Sequence, residues 1–140
     1  MQFLHERANG SKLDLEAEAV LDESIQPENV IQPTVSLNNV FLTGATGFVG
    51  AFLLYELLQT TEAKIHCLIR AENTESAQDK IKKSLQNYNL DQKWQDSFTN
   101  RIIPIVGDLS KPLLGLSQSQ FEKLSTEIDT IYHNGAWVHH

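Results

Sequence analysis

A chain of 140 residues is long enough for one domain with a real core and too short to expect two. Eleven Lys and Arg against eighteen Asp and Glu give a net charge of -7, which speaks against a nucleic-acid surface. The single cysteine, Cys67, rules out an internal disulfide and fits a reducing cytoplasm, while no apolar run approaches the ~20 residues of a membrane span.

The first residues, Met1 to Arg7, are polar and lack the apolar run of a signal peptide. Residues 1–35 are acidic, and Pro27 and Pro33 deny them a long helix, so they read as an extended linker. Leu13, Leu15, Val20, Leu21 and Ile25 leave open a strap packed on the domain that follows, residues 36–140. Val40 to Thr43 is a short apolar run ending at Gly44, the mark of a buried strand. Phe48 to Gln59, dense in Phe, Leu and Val, reads as a helix buried on much of its surface. Lys64 to Arg70 reads as a second buried strand. From about Glu75 to Tyr88 the stripe Ala77, Ile81, Leu85 and Tyr88 predicts a helix, capped by Asn73 or Thr74. Asp91 to Asn100, with Trp94 and Phe98, predicts a short helix or ordered loop.

Ile102 to Val106 is a third strand, and its Pro104 suits a sheet edge, where a missing amide hydrogen is tolerated. Ser117 and Gln120 have capping-box spacing and start a helix. Ile128 to His133 supplies a fourth strand. Strands alternating with helices imply βαβ units, a parallel sheet and an α/β fold of the doubly wound Rossmann type.

The first strand-to-helix turn reads Thr43-Gly44-Ala45-Thr46-Gly47-Phe48-Val49-Gly50. Gly44 can take backbone angles closed to other residues, Gly47 lets the backbone approach a pyrophosphate, and Gly50 permits close packing of helix on strand. The helix opening there aims unpaired amide hydrogens at the phosphates. No Gly-Lys-Ser or Gly-Lys-Thr follows, so a phosphate-loop ATPase is excluded. At the end of the second strand an NAD enzyme usually places a carboxylate, whereas an arginine suits the extra phosphate of NADP. Arg70 stands there, twenty residues beyond Gly50. Its planar fork pairs with phosphate, Glu72 competes for it, and Lys80 is a second candidate for the same group.

The run Val40 to Gly50, then Cys67-Leu68-Ile69-Arg70-Ala71, Gly107-Asp108-Leu109-Ser110 and Tyr132-His133-Asn134-Gly135-Ala136 follow in that order at fitting intervals. Together they resemble the thioester reductase domains that end many nonribosomal peptide synthetases, and the similar domains of carboxylic acid and aminoadipate reductases. All are extended, atypical short-chain dehydrogenase/reductases. The likeness spans roughly residues 13–138, because Asp14 to Ala19 also resembles the linker between carrier and reductase domains. The resemblance implies NADP(H) as cofactor and a phosphopantetheine carrier domain, presenting an acyl thioester, as partner. It implies Asp108 and Leu109 at the adenine and Asn134-Gly135-Ala136 over the ribose side. The implied cofactor-binding set is thus Gly44, Thr46, Gly47, Phe48, Val49, Arg70, Asp108, Leu109, Asn134, Gly135 and Ala136.

Three further residues are read as inert. His133 is expected as a packed strand-end side chain, Cys67 as a core thiol, and His139-His140 lack the partner spacing of a metal site. The resemblance also exposes a gap. Carbonyl reduction in this superfamily uses a Ser or Thr, a Tyr, and a Lys four positions beyond the Tyr. Tyr55, Tyr88 and Tyr132 are followed at that spacing by Gln59, Gln92 and Ala136. The expectation is therefore the front, NADPH-binding part of such a domain, with about four strands in the order 3-2-1-4 and no catalytic residue. A different extended dehydrogenase, such as a fatty acyl reductase or sugar-nucleotide epimerase, and a non-catalytic dinucleotide sensor remain as alternatives.

Overall fold

The computed structural model describes residues 37–91 and 100–136, together with residues 16, 19, 20 and 22–24. The chain divides into two compact units, Met1–Pro33 and Thr34–His140. In the first, Asp22 accepts hydrogen bonds from the amide and hydroxyl of Ser24, at 2.8 and 2.7 Å. Leu13, Leu15, Leu21 and Ile25, the segment with Trp94 and Phe98, and the His139-His140 pair lie outside the described residues.

The second unit is a four-stranded parallel sheet with helices between its strands. In chain order it runs β1 (Asn39–Thr43), α1 (Phe48–Thr60), β2 (Lys64–Ile69), α2 (Thr74–Asn87), β3 (Ile102–Val106), a 3-10 turn (Pro112–Gly115), α3 (Gln118–Glu127) and β4 (Thr130–His133). The strand order is β3-β2-β1-β4, as expected from the doubly wound reading. Val40 pairs with Ile65 on one side and Thr130 on the other, and Ile65 pairs with Ile102. Pro104 therefore lies on an edge strand, where its missing amide hydrogen leaves no ladder bond unmade.

Strand side chains alternate between faces, so Val40 and Leu42 share one face with Ile65, Cys67 and Ile69. Those five join Leu54, Leu58, Ile81 and Leu85 of α1 and α2 in one core. Passing from β3 back to β4 reverses the direction across the sheet. A right-handed crossover then puts α3 on the opposite face, and α3 has no fully buried residue. Asn73 caps α2 by accepting from the Ser76 amide at 2.8 Å, and Ser117 forms the expected capping box with Gln120 on α3. Arg101 donates to the carbonyls of Leu58 and Thr61, placing a positive charge at the carbonyl end of α1.

Three expectations need correction. α1 buries Gly50, Ala51, Leu54, Leu57 and Leu58, but its first turn is open, with Phe48 63% and Val49 59% exposed. That turn projects past the strand end, where no sheet surface covers it; Phe48 packs instead on Phe52 and Tyr88, at 5.2 and 5.5 Å between rings. The second strand stops at Ile69, leaving Arg70 in the loop beyond it. The fourth begins at Thr130, because Ile128 closes α3 by donating its amide to the Leu124 carbonyl at 3.0 Å.

Candidate dinucleotide-binding site

Parallel strands end on the same side of a sheet, so four loops converge there: residues 44–47 after β1, Arg70 after β2, residues 107–111 after β3 and residues 134–136 after β4. The three glycines of the first loop do different things. Gly44 has φ +71°, and a Cβ on it would lie 2.5 Å from the Asn134 carbonyl oxygen. At Gly50 a Cβ would lie 2.0 Å from the Gly44 carbonyl oxygen, so α1 can sit on the loop only without a side chain there. Gly47 is different: a Cβ would meet only the Gly44 carbonyl oxygen, at 3.4 Å. The space above Gly47 is open, and as helix N-cap it brings no side chain to bond the first amides of α1. The Phe48 and Val49 amide hydrogens are thus available to an anion at the positive end of the helix. A pyrophosphate fits a cradle of that kind. Thr46 is exposed beside it, its carbonyl accepting from the Ser84 hydroxyl at 3.0 Å.

Thr43, the last residue of β1, ties this loop to the one after β4. Its buried hydroxyl oxygen accepts from the amides of Asn134 and Gly135, both at 3.0 Å, and lies 2.8 Å from His133 Nδ1. With both lone pairs used, the hydroxyl keeps its hydrogen for the contact with the ring nitrogen. His133 is exposed rather than packed, and this bond to Thr43 is what orients it. Leu109 Cδ1 lies 2.5 Å from where a Gly135 Cβ would stand, so the third loop leans on the fourth through that glycine. Ala136 is exposed beyond them.

The charged side chains gather beside the third loop. Arg70 and Asp108 line a cleft of about 180 Å³, together with Ala71, Val106 and Lys111. Among the described residues Arg70 forms no ion pair, with Glu72 or any other carboxylate. Asp108 accepts from the Ser110 amide and hydroxyl, both at 2.9 Å. Those two bonds, aided by the charges of Arg70 and Lys111, hold its carboxyl below the usual carboxylate value. Lys80 donates to the Arg70 carbonyl at 2.6 Å and lines a neighbouring cleft with Thr46, Lys83, Ser84 and Tyr88. Cys67 is wholly buried and burial pushes its thiol up to about 12, which makes it unreactive. Among the described residues no His, Cys, Asp and Glu cluster could hold a metal, and no helix is long and apolar enough to cross a membrane.

A family of NAD-binding domains described as male sterility protein matches residues 42–140. The chain belongs to that family. Its membership brings a nicotinamide dinucleotide as cofactor, in keeping with the cradle at Gly47. This male sterility family chain is 47% identical over 125 residues to a subunit of the linear gramicidin synthase of Brevibacillus parabrevis, covering 89% of the chain and 2% of the relative. It is 37% identical over 115 residues to the L-2-aminoadipate reductase large subunit of Penicillium chrysogenum, covering 81% of the chain and 8% of the relative. Among solved structures, the terminal R domain from the myxalamid PKS-NRPS biosynthetic pathway superposes with a TM-score of 0.80 at 47% identity. That match covers 90% of the chain and 32% of the R domain. A thiolation-reductase di-domain from an archaeal non-ribosomal peptide synthetase matches with a TM-score of 0.60 at 38% identity, over 75% of the chain and 26% of the di-domain. The chain therefore spans a third or less of each of these relatives.

Two residues of this site gave no signal as such in the sequence. Thr43 reads as a strand end, and only the register of β1 beside β4 shows its hydroxyl meeting the fourth loop. Lys111 reads as a loop lysine, one of eleven basic residues, until the cleft shows it beside Arg70.

Proposed function

We propose that the chain is the NADPH-binding part of a thioester reductase, which releases a carrier-bound acyl or peptidyl thioester as an aldehyde or alcohol. The observation that carries this reading is the 47% identity to a terminal R domain over 90% of the chain. The archaeal di-domain supports a phosphopantetheine carrier as the partner presenting the thioester.

In this reading the open face of Gly47 receives the pyrophosphate, and the amides of Phe48 and Val49 donate to it. Gly44 holds the loop in shape and Thr46 flanks the ribose. Arg70 pairs with the 2′-phosphate that distinguishes NADPH from NADH. Asp108 accepts from the adenine amine through its second carboxylate oxygen, and Leu109 covers the ring. Asn134 and Gly135, held by Thr43, and Ala136 after them close over the cofactor's ribose side. NADPH supplies the hydride that reduces the thioester carbonyl; collapse of the hemithioacetal frees the aldehyde and the carrier thiol, and a second reduction gives the alcohol. What these residues contribute is binding and orientation. No tyrosine here has a lysine four positions on, so residues 1–140 alone bind cofactor without turning over an acyl thioester.

The test is to titrate NADPH and NADH into the wild type and into Arg70→Ala. Loss of a forked, charge-assisted contact costs on the order of 1.5–3 kcal/mol, so the wild type should favour NADPH by roughly tenfold or more. Arg70→Ala should erase most of that margin. Equal affinity of the wild type for the two cofactors rejects the assignment.

A further inference from the structure

We infer that Lys111 is a specificity-determining residue: on a strained loop built to hold it in the Arg70 cleft, it is the second cation for the phosphate on the adenosine ribose. The inference rests on the NADPH reading above and adds to it a residue that neither composition nor motif marks.

The loop's backbone is the first observation. Leu113, Leu114 and Gly115 follow one another in the left-handed region, at φ 51°, 60° and 74°. Two of the three carry a Cβ, which that region disfavours, and neither is the Asn or Asp that tolerates it. The bend is held by four backbone bonds: Asp108 N–H to the Leu114 carbonyl at 2.7 Å, Lys111 N–H to the Asp108 carbonyl at 3.1 Å, Leu114 N–H to the Lys111 carbonyl at 3.0 Å, and Leu116 N–H to the Leu113 carbonyl at 3.0 Å. Strain of this kind persists where the surrounding structure enforces it, and it gathers at ligand clamps.

The second observation is where the bend puts Lys111. Its Cδ lies 3.4 Å from the position a Gly115 Cβ would take, so the stem crosses the one residue of the bend that has no side chain. Lys111 thereby lines the same cleft as Arg70, and the charges of both act on the Asp108 carboxyl between the strand end and the bend. Asp108 brings the one carboxylate among the residues lining that cleft, and one of its oxygens is turned to the Ser110 amide and hydroxyl. Two cations against one carboxylate leave the cleft positive on a chain whose net charge is -7. A dianionic phosphate monoester matches that local charge, and a ribose hydroxyl does not. Lys80, the second cation expected from the sequence, bonds the Arg70 carbonyl and lines the adjacent cleft instead.

The probes are adenosine 2′,5′-bisphosphate and ADP, which differ in carrying or lacking the 2′-phosphate. Each is titrated by calorimetry into the 140-residue chain and into Lys111→Met, Lys111→Arg and Lys83→Met. Lys111→Met keeps an unbranched stem over Gly115 and removes only the charge, and equal thermal midpoints confirm that the fold is intact. The expected result is about tenfold weaker binding of the bisphosphate to Lys111→Met, ADP unchanged within about twofold, and recovery in Lys111→Arg. Lys83→Met should bind the bisphosphate as the wild type does. If Lys111→Met keeps the wild-type preference for the bisphosphate, the NADPH reading stands and the role of Lys111 is overturned. Equal weakening of both probes overturns it as well. If the wild type itself shows no preference, the NADPH reading fails first and takes this inference with it.

Discussion

Replacing Gly47 with alanine separates what the glycine loop does for the fold from what it does for a ligand. The new methyl would touch only the Gly44 carbonyl oxygen, at 3.4 Å, an ordinary contact. The backbone at Gly47, φ -80° and ψ 171°, is open to every residue. The cost to the fold is that of a poorer helix N-cap, roughly 0.5–1 kcal/mol, which moves the midpoint of a domain this size by only a few degrees. Binding should respond very differently. A methyl in the open space above Gly47 lifts the pyrophosphate off the amides of Phe48 and Val49. Two hydrogen bonds to a charged group, at about 1.5–3 kcal/mol each, put the loss at roughly a hundredfold or more. Gly50→Ala is the comparison, because its methyl would fall 2.0 Å from the Gly44 carbonyl oxygen and force α1 off the loop. That variant should lose thermal stability along with affinity. The assay is a fluorescence titration of NADPH beside a thermal melt for both variants. NADPH affinity within twofold of wild type in Gly47→Ala would show that the loop does not cradle phosphate. A melt as damaged as that of Gly50→Ala would show that the open space above Gly47 had been misread.

Two further predictions concern the sheet. His66 is buried, its Nε2 lies 3.3 Å from Asn39 Oδ1, and among the described residues its Nδ1 has no hydrogen-bond partner. Burial, with Lys64 and Lys123 adding to it and Glu127 opposing it, lowers its pKa. The unfolded chain then takes up a proton near pH 6.5 that the folded chain refuses, so stability is fully present above that pH and falls as the pH drops, by at most ~1.4 kcal/mol per unit. Urea melts at pH 7.5 and 5.5 should show a smaller fall for His66→Gln than for the wild type; an identical fall would count against the assignment. The second prediction follows from β4, which closes one side of the sheet with Ile131 67% exposed. Unpaired strand edges with apolar side chains template association, so the 140-residue chain should self-associate in light scattering and Ile131→Lys should reduce this. A stable wild-type monomer would contradict it.

The order of elements was legible because each local signal agreed with the global one. Pro104 could sit only where a ladder bond was expendable, which fixed β3 at an edge before any pairing was known. Asn73 and Ser117 marked helix starts by the chemistry of their side chains. Burial was less legible than order. The run of apolar residues from Phe48 to Leu58 does not say that its first turn overhangs the strand ends, because overhang depends on where β1 stops and the loop turns.

For the candidate site the division is sharper. Gly44, Gly47 and Gly50 share one spacing, and spacing alone cannot distinguish a glycine that avoids its own protein from one that leaves room for something else. Only the distances do: 2.5 and 2.0 Å to neighbouring protein atoms at Gly44 and Gly50, against 3.4 Å at Gly47. Lys111 was illegible for a related reason. A bend made wholly of glycine or asparagine announces itself, whereas this one starts at Leu113 and Leu114, which read as an apolar pair meant for a core, and only ends at Gly115. The strain in the loop that carries Lys111 lies in the φ angles of Leu113 and Leu114, and neither residue type records it in the sequence. Sequence marks a site where its chemistry sits in the side chains or in glycines, and falls silent where ordinary residues are held in uncommon conformations by the fold around them.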